Sequence, residues 1–177
     1  MAPHEATGPA EPREGQPDSG LTVTVAAYQE LEAARRDVRA LCSRAAPGEL
    51  LDVALVERTL GEMTAFHGCA DSGWGHGVLA SAVCGALWSP SLVVGALAGG
   101  VGGRVMTEMR QALSLEAITA LAGVLENGTF IAVAVSGPPG TAAPSALRGN
   151  AEHVATAPLS TSAAALREAL DADTTED

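Results

Sequence analysis

A long segment without charge most constrains the fold of this chain: no Asp, Glu, Lys or Arg occurs from Ser72 to Gly103. About 20 apolar residues suffice to cross a bilayer once, so the segment is long enough. Pro90 lies in its middle, and proline removes a helix hydrogen bond and clashes with the preceding turn. We therefore expect two short helical arms, 78–88 and 92–105, in a hairpin that is re-entrant, interfacial or buried in protein.

Glycines recur every fourth residue in the second arm and give it a ridge of small residues. Such a ridge lets helices approach closely, whereas each glycine costs an isolated helix roughly 1 kcal/mol relative to alanine. The pattern favours self-association or lipid contact; the alternative is a hairpin folded onto the domain's own sheet. The tryptophans that bracket the first arm are either interfacial anchors or core fillers. The residues expected to make the contact are Gly95, Ala98, Gly99, Gly102, Gly103, Trp74 and Trp88.

The sequence on either side of the segment alternates between strand and helix patterns. Strands are predicted at 21–25, 51–60, 63–67, 129–135 and 153–159, and helices at 28–46, 113–125, 141–148 and 162–172. Ser114 is the expected N-cap of the helix 113–125, and 129–135 is apolar on both faces, as in an interior strand. This order predicts an α+β fold with a ferredoxin-like core and an inserted Gly/Ala-rich apolar helical hairpin at 74–106.

The domain boundaries follow from composition. Residues 1–20 are rich in Pro, Gly and acids and are predicted to be a disordered tail. Residues 21–172 form a single α+β domain, and 173–177 form an acidic tail. We expect the strands and helices that flank the hairpin to complete a core without it.

The net charge of −11, from 21 acids and 10 bases, argues against nucleic acid and against docking on anionic lipid heads. The three cysteines form no C-x-x-C pair, and the N-terminus has no apolar run typical of a signal peptide. We therefore expect reduced thiols and a location in the cytoplasm or on the cytoplasmic side of the membrane, not secretion. Arg104 and Arg110 just after the hairpin agree with that side.

No residue pattern indicates catalysis, a cofactor or a metal. His67, Cys69, His76 and Cys84 do not have the spacing of a zinc site. Asp52 and Glu57 are expected on opposite faces of a strand, at solvent or salt-bridge positions rather than as an acid/base pair.

The order of parts resembles an uncharacterised family of predicted membrane proteins, common in actinomycetes and known only as a domain of unknown function. The resemblance rests on the stretch 52–58 with the following Gly61-Glu62, on the glycine-rich hairpin, and on Leu-Glu-Asn-Gly-Thr at 125–129 before an apolar strand. It implies a membrane-linked domain and no catalytic residue. Family members often carry Lys or Arg beside the first arm, where this chain has His76.

The sequence favours a non-enzymatic membrane-associated or self-assembling protein, with itself or a lipid bilayer as the partner. A soluble ligand-binding or regulatory domain that uses the hairpin as a dimer interface or lid is the alternative. An enzyme is least favoured, because the chain lacks the convergent His, Tyr, Asp and Arg of a catalytic pocket.

Overall fold

The computed structural model of the protein describes residues 20–59, 62–67, 77–87, 103–138 and 141–174. Within them the chain forms five strands and six helices. The strands are β1 Thr22–Tyr28, β2 Leu50–Thr59, β3 Glu62–His67, β4 Phe130–Ser136 and β5 His153–Pro158. The helices are α1 Leu31–Arg44, α2 Val78–Leu87, α3 Gly103–Ala112, α4 Leu115–Leu125, α5 Ala142–Leu147 and α6 Ala163–Thr174.

The five strands form one sheet in the order β3-β2-β4-β1-β5, with every neighbouring pair antiparallel. Strands β1 and β2 therefore run in the same direction on either side of β4, and α1 connects them. Strand β4 lies at the centre, and Ile131 to Ser136 are buried, so the interior strand expected at 129–135 is confirmed. The α+β class expected from the order of elements is confirmed as well.

Helices cover both faces of the sheet. The strands carry buried apolar side chains on both faces, as β1 shows, because its successive side chains point to opposite faces. Val23 and Val25 pack in a core with residues of α2, α3, α4 and α6. Ala26 and Tyr28 pack in a second core with residues of α1 and α5. The sheet thus separates a layer of two helices from a layer of four.

Helix α2, which corresponds to the first predicted arm, is a core helix. Leu79, Val83, Cys84 and Leu87 are buried, and α2 packs against β2 and β4 as well as α3. The expectation that the domain completes its core without residues 74–106 is wrong, since α2 supplies a large part of one core. Among the described residues, no helix is both long and apolar enough to cross a bilayer.

Several local predictions need correction. Tyr28 ends β1 instead of starting the first helix. Residues 103–105 begin α3, which the sequence patterns did not predict; its buried Val105, Met109 and Ala112 recur at helical spacing. Leu115, an apolar residue of the helix predicted at 113–125, is 81% exposed and does not face the core. The Ser114 N-cap is confirmed, because its side chain accepts the Ala117 N–H at 3.1 Å.

Candidate assembly site

A buried carboxylate holds the start of α2. Asp52 lies at a bulge in β2 and is 1% exposed. Its Oδ1 accepts the N–H of Val53 at 2.9 Å and of Gly77 at 3.2 Å, and its Oδ2 accepts the N–H of Ala80 at 3.1 Å. The first amides of a helix have no partner within the helix, so a strand residue here caps α2 from outside. Asp52 is therefore not at a solvent or salt-bridge position, and that prediction is wrong.

The electrostatics of Asp52 are a balance of two opposed effects. Burial disfavours the charged form and raises the pKa of its carboxyl, while the hydrogen bonds from the amides of Ala80, Gly77, Leu79 and Val53 lower it. Burial is the larger effect, so the pKa of Asp52 lies above its ordinary value. The carboxylate thus fixes the helix at some cost in desolvation.

The C-terminal part of the chain clasps α3 at three places. Asp173 of α6 accepts the N–H groups of Arg104 and Val105 at 3.2 Å and so caps the start of α3. Ser160 donates from its N–H and its hydroxyl, both at 2.9 Å, to the carbonyl of Ala112 at the end of the helix. Asp173, expected in a free acidic tail, instead lies in the last turn of α6.

The third contact is in the middle of α3, where Thr161 donates its hydroxyl to Glu108 Oε1 at 2.7 Å. We call the segment from Ser160 to Asp173 the clasp. It fixes the helix that directly follows the glycine-rich segment, and α3 in turn packs on α2.

A surface groove of about 450 Å³ runs between α3 and α6. Three alanines of α6, spaced four and three residues apart, line it together with charged residues of both helices. The lining residues are Gly103, Arg104, Thr107, Glu108, Ala165, Glu168, Ala169 and Ala172. Small side chains on α6 therefore leave the N-terminal end of α3 accessible from outside.

Gly103 is the only residue of the predicted ridge within the described part of the chain. It is exposed at the first position of α3, and a Cβ added there would meet no atom within 4 Å. Nothing in the described protein thus needs a glycine at this position for close packing. Gly95, Ala98, Gly99, Gly102, Trp74 and Trp88 lie outside the described residues.

The cysteines agree with expectation only in part. Cys42 is disulfide-bonded, so it is not the reduced thiol expected. Cys84 is a free thiol, and burial raises its pKa to about 12, which makes it a core residue and not a nucleophile. Cys69 and His76 lie outside the described residues, and no group of metal-binding side chains occurs among those described.

A second buried polar cluster lies on the opposite face of the sheet and was missed by the sequence analysis. The Tyr28 hydroxyl lies 3.2 Å from Asp37 Oδ2 and 3.0 Å from the carbonyl of Leu147, and it can donate to either. Asn150 donates its N–H to Asp37 Oδ2 at 2.7 Å, and its side-chain amide donates to Oδ1. Burial, followed by the charge of Asp37 and its hydrogen bond, raises the pKa of Tyr28 far above its usual range.

This second cluster fastens the turn after α5 to α1. Every polar atom named in it has a partner inside the protein, so we assign it to stability.

Comparisons with protein-family models, with curated proteins and with solved structures give no match for this chain.

Proposed function

We propose that this is a non-enzymatic, self-assembling protein whose copies contact each other through the glycine-rich ridge that ends at Gly103. The observation that carries the proposal is the open space around Gly103, which is exposed and where a Cβ would meet no atom of the described residues within 4 Å. A glycine that packs against nothing among the described residues, at the end of a four-residue glycine repeat, suits the close approach of a second backbone.

The anchoring of the flanking helices supports this role. Asp52 caps α2 and Asp173 caps α3, so the helices on either side of residues 88–102 are both fixed to the domain. An interaction surface on rigid elements loses less conformational entropy on binding than one on a free loop. The larger part of the ridge lies outside the described residues and enters the proposal from the sequence.

The finer fold assignment is also part of the proposal. Without the edge strand β3, the order β2-β4-β1-β5 and the crossover helices α1 and α5 on one face support a ferredoxin-like core with an insertion before β4.

The likeness to the actinomycete family of unknown function and the absence of enzymatic activity rest on the sequence. The disulfide at Cys42 removes the cysteine argument for the cytoplasm, because disulfides are rare in cytosolic proteins.

The test compares two exposed helical glycines. Gly103 and Gly123 both have open space at the Cβ position, but only Gly103 belongs to the ridge. We expect Gly103→Leu to abolish self-association in gel filtration with light scattering at high salt, while leaving the melting temperature unchanged or higher. Gly123→Leu is the matched control and should associate like the wild type.

Two outcomes would contradict the proposal. If Gly103→Leu associates like the wild type, the ridge does not make the contact. If the intact protein is a monomer that floats with liposomes, and Gly103→Leu abolishes flotation, the ridge contacts lipid and the bilayer replaces the second copy as the partner.

A further inference from the structure

The charges of the protein are divided between the two faces of its sheet. With the helix caps included, the layer of α1 and α5 carries five arginines and three acids, Glu30, Glu32 and Asp37. The layer of α2, α3, α4 and α6, counted in the same way, carries three arginines and six acids. A chain with a net charge of −11 thus has one face on which positive charge predominates.

Four exposed arginines define this cationic surface: Arg36, Arg39, Arg44 and Arg148. Arg36 and Arg39 are neighbours on α1, since residues three apart share a helix face. The turn that begins at Arg148 is held against α1, because Asn150 binds Asp37. Among the described residues no carboxylate lies within 4.0 Å of these four guanidinium groups, whereas Arg35 beside them pairs with Glu32 at 3.0 Å.

An acidic surface lies on the other face. Glu116 of α4 and Glu168 and Asp171 of α6 are exposed there. The acidic surface of one molecule is therefore complementary in charge to the cationic surface of another.

We propose that the cationic surface on α1 binds the acidic surface of a second copy of this chain. A nucleic acid or an anionic membrane fits less well, because the net negative charge of the protein repels both. The two surfaces lie on opposite faces of the sheet, so the contact is head-to-tail and each copy can bind two others. Such a contact extends into open chains instead of closing as a dimer.

This inference rests on the self-assembly proposed above but places a second, electrostatic contact away from the ridge. The two contacts differ in their response to salt. Exposed charge pairs are screened by salt, whereas close packing of glycine faces is not. The salt dependence therefore separates one contact from the other.

The experiment is sedimentation velocity of the full chain at about 25 mM and about 500 mM NaCl, with two charge-reversed variants. Arg36→Glu/Arg39→Glu makes the cationic surface acidic, and Glu168→Arg/Asp171→Arg makes the acidic surface basic. We expect wild-type association to weaken roughly tenfold at the higher salt, since exposed pairs are weak individually. Each variant alone should form no chains, and an equimolar mixture should form them again, because the reversed surfaces match.

Arg110→Glu/Arg167→Glu is the matched control, since it changes the net charge equally but on the acidic layer. It should associate at least as strongly as the wild type, because it makes the acidic layer more negative, and all variants should keep the wild-type circular dichroism. Equal loss of association in the control, or no recovery in the mixture, would overturn the proposal. Association that is unaffected by salt and by Arg36→Glu/Arg39→Glu, but is lost in Gly103→Leu, would also overturn the proposed electrostatic contact. The ridge contact would then be the one that joins the copies. Loss of bound nucleic acid without a change in association would identify the surface as a polyanion site instead.

Discussion

Replacing Asp52 with alanine tests the link between the sheet and the apolar segment. In the wild type this carboxylate accepts the amides of Val53, Gly77 and Ala80 at 2.9–3.2 Å, in a site where Asp52 itself is 1% exposed. Alanine leaves these amides without an acceptor, and α2 loses its cap.

The expected cost follows from the geometry. Loss of a helix cap costs about 1 kcal/mol, and each buried amide left without a partner costs about 1–3 kcal/mol. Removal of a buried charge returns part of this energy, since burial raises the pKa of Asp52. We expect a net loss of about 3 kcal/mol in the free energy of unfolding, which lowers the melting temperature by roughly 6–12 °C in a protein of this size.

Urea unfolding followed by circular dichroism measures this loss. Glu116→Ala is the control, because this exposed acid in the first turn of α4 contributes only about 0.3–1 kcal/mol through the helix dipole. If Asp52→Ala loses no more stability than the control, Asp52 does not hold α2.

The pH dependence of Asp52→Asn has a defined sign. The pKa of Asp52 is raised above 3.8 in the folded protein, so the folded state binds the proton more readily than the unfolded state. The stability that protonation of Asp52 contributes is complete below pH 3.8. It is lost as the pH rises through the pKa that Asp52 has in the folded protein. Wild type should therefore gain stability relative to Asp52→Asn as the pH falls from 7 towards 4; a gain on raising the pH would contradict the burial effect.

Three further predictions follow from packing and capping. Ile131→Asp should abolish cooperative melting, because an unpaired carboxylate at this 1% exposed site of the central strand costs several kcal/mol. The free energy of unfolding of a whole protein is only about 5–15 kcal/mol. A wild-type melting curve would refute the sheet order. Asp173→Ala should increase amide hydrogen exchange at Arg104 and Val105, whose N–H groups lose their acceptor, and leave α4 unchanged; unchanged protection at both residues would refute the clasp. Cys84 should resist iodoacetamide at pH 8 until the protein is denatured, because it is buried with a pKa of about 12; stoichiometric labelling of the native protein would contradict its place in the core.

The regular elements of the fold were predictable where local patterns are strong. The apolar run of β4 indicates a strand that is buried on both faces, and Ser114 before an apolar periodic stretch indicates a helix start. Helix α3 was missed because Arg104, Glu108 and Arg110 separate its few apolar residues, so its pattern is weak on its own. Its position is set by Asp173, which is far away in sequence.

The anchoring residues were not predictable, since their role depends on long-range contacts. Asp52 is the only acid among the first seven residues of β2, and that isolation was the one available sign that it is a buried acceptor. Tyr28 and Asp37 are likewise joined only when α1 folds back beside β1. The ridge, by contrast, is a feature of the sequence alone, and Gly103 connects it to the described structure.

Sedimentation equilibrium of the intact chain over a range of concentrations tests the central claim most directly. The monomer has a mass of 17.8 kDa. Our account predicts an average mass that rises with protein concentration to multiples of this value in the absence of lipid. A mass that stays at that of the monomer at every concentration would contradict it.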